Sequence, residues 1–316
     1  MPVCVLVAFF GKIVMNNIRH TPVAFTLLFV MTLASCSGKK KGEKSSAATD
    51  TYTEGKSQIW VEEGFKPIID EQLEVFSASN PKASLKVNYG NENEIVADLL
   101  RTGGKTVILS RSLTDPEKQA LKKIGFTPEI LKIAEDAVAL IVNSSDPDTA
   151  ITTDKLKTLL KGSSADKKVV FENPNSGTVR FLKEFSASEL KTSNIFALNS
   201  NKEVIRYISE HKDAIGIVSF NWLGAGDVSE YMKKVKVLSL CGEGKQKECV
   251  KPSQTSLALN QYPLSRAIYV VNASGRLGLG TGFATFLAGE RGQRILLKSE
   301  LLPAQIPSRE IRIVTE

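Results

Sequence analysis

From residue 57 onward, short apolar runs alternate with stripes of apolar residues at helical spacing. Gln58-Ile59-Trp60-Val61 reads as a strand. The spacing then predicts a helix over 65–79, with Pro67 in its first turn and Phe65, Ile68, Ile69, Leu73 and Phe76 on one face. Strands over 85–89 and 106–109 and helices over 94–101 and 115–123 continue the alternation, which implies a parallel sheet with helices on both faces. The most apolar strand, over 137–143, runs into the turn-rich Ser144-Ser145-Asp146-Pro147-Asp148, as a crossing between lobes would. A second set follows: helix 153–160, strand 169–172, helices 177–185 and 201–210, and strands 215–219 and 235–240. The run 263–271 is another long strand, followed by helices over 282–287 and 292–297 and a terminal strand over 310–314.

Two long strands, one leading out and one back, describe a two-lobed α/β fold with a double-strand hinge and a central ligand cleft. Lobe 1 is expected over 57–142 plus 256–316, and lobe 2 over 143–255. No tandem repeat is evident.

The first 56 residues behave differently. Ile18-Arg19-His20 precedes an apolar run over 23–33, too short to span a bilayer and suited to a secretory leader. It ends in Leu33-Ala34-Ser35-Cys36, which resembles the lipobox of bacterial lipoproteins. That resemblance implies a signal peptide over 1–36 and lipidation at Cys36; an ordinary leader that contains a cysteine is the alternative. A second apolar stretch lies upstream, so a more compact leader would begin at Met15. Residues 37–56 are rich in Ser, Gly, Lys and Thr, and read as a flexible linker. Lys39-Lys40-Lys41 would then either lie beside anionic headgroups or simply solvate the linker.

The chain of 316 residues carries a net charge of +7, which could suggest nucleic acid. Seven Lys or Arg against three acids fall within 1–56, leaving the rest at about +3, so no polyanion partner is implied. Cys4 and Cys36 belong to the leader, leaving Cys241 and Cys249 as a pair that an oxidising compartment would join, with two free thiols as the alternative. One histidine in the body, His211, expected on the polar face of its helix, offers no catalytic triad. No metal cluster or phosphate-loop sequence appears, so neither an enzyme nor a cofactor is expected.

Four motifs occur in order over roughly 57–316: Asn175-Ser176-Gly177-Thr178 opening a helix, Asp213-Ala214-Ile215-Gly216-Ile217-Val218, Tyr262-Pro263-Leu264-Ser265-Arg266, and Gly292-Gln293 before Leu302-Pro303. Together they resemble the phosphate-binding proteins of ABC phosphate importers. The resemblance implies a periplasmic-binding-protein-like fold and a periplasmic, lipid-anchored monomer. It also implies a cleft that closes on phosphate or a similar oxyanion and delivers it to a permease; a related envelope binding or sensor lipoprotein with a non-phosphate ligand is the alternative.

Physically, a helix N-terminus offers unsatisfied N–H groups and a partial positive charge. Ser176 would cap the helix, Gly177 would admit the ligand, and Thr178 would add a hydroxyl; a plain cap without a ligand is the alternative. The family commonly reads Arg-x-Asp-Gly-Ser-Gly-Thr at this loop, so its Arg falls on Glu172 and its Asp on Pro174. In lobe 1 the family's ligand loops fall on Gly64-Phe65, on Gly90-Asn91-Glu92-Asn93 and on Ser110-Arg111-Ser112. Arg111 would either restore the lost guanidinium or pair with Asp115 or Glu117. Glu62 and Glu63 read as solvated loop acids, or as acceptors of a phosphate proton.

Overall fold

The computed structural model describes residues 50–162, 167–190, 194–242 and 248–307. Cys36, the leader and the strand expected over 310–314 lie outside the described residues.

The first lobe starts with strands β1 (Gly55–Glu62), β2 (Ala83–Gly90) and β3 (Thr106–Leu109). The long β4 (Glu129–Asn143) and the short β5 (Ala150–Thr152) lead into the second lobe, with β6 (Lys168–Glu172), β7 (Ile195–Leu198) and β8 (Ala214–Ser219). Then come β9 (Val235–Val237), β10 (Ser239–Cys241), β11 (Cys249–Val250), the returning β12 (Ser265–Asn272) and β13 (Leu302–Pro303). The main sheet runs β2-β1-β3-β12-β4-β8-β6-β7, while β5, β10 and β11 form a small separate sheet. β1 is parallel to β2 and β3, and β6 is parallel to β7 and β8.

Helices cover both faces, as the alternation of side chains along each strand requires. In the first lobe Ile59 and Val61 pack with Ile68, Phe76 and Phe283, whereas Val107 and Leu109 pack with Ile95, Leu99 and Leu121 on the other side. In the second, Leu140 and Phe171 pack with Leu156 and Leu182, while Ile141 and Val170 meet Val204, Ile205 and Ile208.

β4 joins the two halves. Residues Glu129 to Ala137 pair antiparallel with β12, and Val138 to Ile141 pair antiparallel with β8. It begins eight residues before the expected strand because exposed Lys132 and half-buried Glu135 interrupt buried Ile133, Ala134 and Asp136, a mixed pattern that a search for apolar runs passes over. The Tyr262 hydroxyl donates to the Val138 carbonyl at 2.9 Å where the outgoing and returning chains cross.

Other expectations change in detail. The strand expected over 235–240 breaks at Leu238, so that β9 pairs with β4 while β10 turns away to β5 and β11. The helix expected from Phe65 is preceded by a tight turn, Glu63–Phe65, and proceeds as Lys66–Ser79. The linker expected through residue 56 ends sooner: Asp50 accepts a hydrogen bond from Leu279 N at 2.9 Å, and β1 starts at Gly55. His211 ends the helix Asn201–Glu210, stacked on Tyr207 with ring centroids 3.8 Å apart. Cys241 and Cys249 face each other across β10 and β11 and are disulfide-bonded.

Tyr262→Phe should lower stability by about 1 kcal/mol, the worth of one buried hydrogen bond, with no change of fold. Urea unfolding followed by circular dichroism measures it; an unchanged midpoint would show that this bond does not hold the crossing.

Candidate functional site

Several strands end at the interface between the lobes, and their last residues carry the site. β1 ends at Glu62, β3 is followed by Ser110, and β6 ends at Glu172. Helix Gly177–Ser186 starts at the same place, capped by Ser176, whose Oγ accepts from Val179 N at 3.3 Å. This is the carboxyl edge of parallel strands, where α/β sheets present their ligand sites.

The buried Glu62 carboxylate sits between the lobes. Oε1 accepts from Gly177 N at 3.1 Å, Oε2 accepts from Ser110 N at 3.0 Å, and the Arg266 Nη1 lies 3.8 Å from Oε1. Two backbone N–H groups from opposite lobes and a guanidinium therefore converge on one carboxylate. The Glu62 carboxyl thus occupies a cradle of the kind of donors that suit an anion.

Gly177 permits this approach: a Cβ there would lie 2.1 Å from Ser110 Oγ and 2.6 Å from both Glu62 Oε1 and Glu92 Oε2. Arg266 is the central cation. It donates to Thr178 Oγ1 at 3.0 Å and to Asp136 Oδ2 at 3.1 Å, also bonds Ser219 Oγ, and stacks over Phe65 at 4.9 Å. Gly64 leaves room for it, since a Cβ would come within 3.3 Å of Nη2.

Other residues meet only part of their expected roles. Ser176, Gly177 and Thr178 do open the helix at the cleft. Phe65 is buried beneath the guanidinium. Asn91 caps helix Glu92–Thr102, accepting from Glu94 N at 2.9 Å, and lines the adjoining cavity. Arg111 is engaged elsewhere: it donates to Glu92 at 3.1 Å and, through both terminal nitrogens, to Glu117 at 2.7 and 2.8 Å. The expected surface partner Glu117 wins because the Thr114 cap holds it one helical turn away.

Arg266 takes the central place. It lay within a quoted motif, but nothing in the sequence distinguished its role from that of a strand residue; its alignment with Asp136 across β12 and β4 is the missing signal. Arg180 was likewise missed. From the second lobe it donates to Glu92 at 2.7 Å and to Ser110 Oγ at 3.1 Å.

Glu62 and Glu63 are not solvated loop acids. Burial pushes the Glu62 carboxyl up to about 7 against the opposing charge of Arg266. Burial raises Glu63 to about 7 as well, although the Asn201 amide donates to it at 2.8 Å. Burial also acts to raise Glu92, but hydrogen bonds and charge from Arg180, with Ser110 and Arg111, outweigh it and hold that carboxyl low. Glu172 is raised by burial; the Thr178 hydroxyl, the charge of Arg266 and the Ser176 hydroxyl temper the shift, yet neither hydroxyl reaches hydrogen-bonding geometry with its oxygens. Beside the cradle lies a cavity of about 290 Å³, bounded by Glu62, Glu172 and Ser176 among others.

This architecture defines the chain's class: it belongs to the PBP superfamily, whose domain matches residues 45–291. Among particular relatives, the phosphate-binding protein PstS of Pseudomonas aeruginosa is 24% identical over 305 residues, covering 86% of each chain. PstS of Staphylococcus saprophyticus is 22% identical over 273 residues, covering 81% of this chain and 80% of the relative. Two solved structures share the fold. One is a Clostridium perfringens protein assigned as a phosphate ABC-transporter substrate-binding protein and crystallised with phosphate, with a TM-score of 0.66 at 20% identity over 79% of this chain and 100% of that one. The other is an ABC-type phosphate transport receptor of Vibrio cholerae, with a TM-score of 0.58 at 20% identity over 78% of this chain and 100% of that one.

The raised carboxyls set a pH dependence. Between about 4.5 and about 7 the folded protein holds protons on Glu62 and Glu63 that the unfolded chain releases, so stability should fall as pH rises through that window. Glu63→Gln keeps an acceptor for Asn201 but cannot ionise, and should flatten part of the slope. Urea midpoints across the window report it; a slope identical in wild type and variant would place the titration elsewhere.

Proposed function

We propose that the protein is the solute-binding component of an ABC-type importer in a bacterial cell envelope, and that its cleft captures phosphate or a related oxyanion. One observation carries this reading: the carboxylate of Glu62 is held by Gly177 N and Ser110 N from opposite lobes beside Arg266, the donor set an oxyanion ligand would use. The PstS relatives, named as phosphate-binding proteins, support it.

In this reading Glu62 yields its place to the incoming anion. Ser176, Gly177 and Thr178 supply the helix terminus, Gly64, Phe65 and Asn91 frame the first-lobe side, and Arg266 supplies the guanidinium, one of the two roles open to Arg111 in the sequence. Lobes at 57–142 plus 256–316 and at 143–255 would separate to admit the solute. Cys36 would anchor a monomeric, periplasmic protein to the membrane, within reach of its permease.

Calorimetric titration with inorganic phosphate tests the central claim. Wild type should bind, and Glu62→Gln should bind at least about tenfold more tightly, a change of about 1.4 kcal/mol, because the occupant it must displace no longer carries a like charge. Absence of heat from both proteins with millimolar phosphate, sulfate and phosphonates would end the oxyanion reading.

Cys36→Ser should release the protein from the membrane fraction or leave its leader uncleaved. Normal processing with membrane retention would end the lipoprotein reading.

A further inference from the structure

The walls of the cavity beside the cradle have the wrong charge for a bare phosphate dianion. Four carboxylates line it, from Glu62, Glu63, Glu94 and Glu172, together with three asparagine side chains and the Ser176 cap, and no lysine or arginine is among its lining residues. Glu172 is the telling member. It is only 2% exposed, borders the cavity, and neither of its carboxylate oxygens has a hydrogen-bond partner.

Burying a carboxylate without a partner is costly, and a second anion alongside it raises the cost. A cation that brings its own N–H donors removes both penalties. A metal ion suits the cavity poorly: among the described residues no three His, Cys, Asp or Glu side chains are grouped to hold one. The asparagine and serine oxygens are further acceptors for N–H groups. An ammonium, a compact charge with three donors, matches carboxylates that approach from several sides better than a planar guanidinium does.

We infer that this cavity is a subsite for a primary ammonium, with Glu172 as its counter-ion, so that the solute is an amine-bearing oxyanion such as an aminoalkyl phosphonate or phosphate monoester. The inference rests on the oxyanion reading of the adjoining cradle. The oxyanion takes the donors of Gly177 and Ser110 in place of Glu62, and the ammonium lies across the cavity against Glu172 and the displaced Glu62. The two ends of the solute then neutralise what each alone would aggravate.

The intact protein titrated with inorganic phosphate, ethylphosphonate, 2-aminoethylphosphonate and ethylammonium tests this. The aminophosphonate should bind at least about tenfold more tightly than ethylphosphonate, which has the same length but no amine. Glu172→Gln should reduce that ratio to about twofold or less. Equal affinity of wild type for the two phosphonates would overturn the ammonium subsite and leave the oxyanion reading standing. Binding of ethylammonium with no response to phosphate or either phosphonate would uphold the subsite and overturn the oxyanion reading. Silence with all four probes would overturn both.

Discussion

Arg266 lies buried where the lobes meet, and its charge has to be satisfied without water. Asp136 answers it from β4, and the two residues are direct cross-strand partners in the register of β12 against β4. Breaking a buried pair costs far more than the pair contributes, because it leaves one charge unpaired in a poor dielectric. A slip of one residue would move Arg266 to the opposite face of its strand and strand both charges. The ion pair therefore fixes the alignment of the two chains that cross between the lobes. From that fixed point Arg266 reaches Thr178 in the second lobe, and Phe65 in the first covers its face.

The remaining charges around the cleft follow from this arrangement. Glu92 is held from both lobes, by Arg111 on one side and Arg180 on the other, so it acts as a latch across the closed interface. Glu62 performs a similar bridging task with backbone donors. Glu63 reaches Asn201, Asn221 donates to the Gly64 carbonyl at 2.9 Å, and Asn93 N donates to the Asn175 carbonyl at 3.3 Å. Closure therefore rests on polar groups that water could equally satisfy once the lobes part, which lets a cleft open at modest cost. Among the described residues Glu172 is a buried carboxyl of the cleft with neither oxygen hydrogen-bonded, held only by the nearby charge of Arg266 and the dipoles of Thr178 and Ser176.

Much of the fold was legible because local pattern and global architecture agree. Strand 106–109 and helices 115–123, 153–160 and 201–210 sit where their spacing put them, each bounded by a capping residue or turn. β7 was not foreseen: its Ile195-Phe196-Ala197-Leu198 is an edge strand with Phe196 and Ala197 exposed, and parallel pairing with β6, not burial, holds it. The site was legible at its helix terminus and not in its charges. Ser176-Gly177-Thr178 carries a local signal, whereas the fates of Arg111 and Arg266 depend on which acid each meets across the fold. The acids of Glu62-Glu63 follow an apolar strand, a position that could have suggested burial, but only the opposing Gly177 and Ser110 show what holds Glu62.

Asp50 and Tyr52 fasten the chain at the first described residues to a single helix of the first lobe. Asp50 caps helix Leu279–Ala288 and pairs with Arg276 at 3.6 Å, while Gly282 leaves space for the Tyr52 backbone, whose carbonyl oxygen would lie 2.0 Å from a Cβ there. Any tension transmitted along the chain preceding residue 50 is thus delivered to the first lobe at one point, on the far side of the crossing strands from β6, β7 and β8. Within the main sheet, a pull on residue 50 would reach β6, β7 and β8 only through the crossing strands β4 and β12.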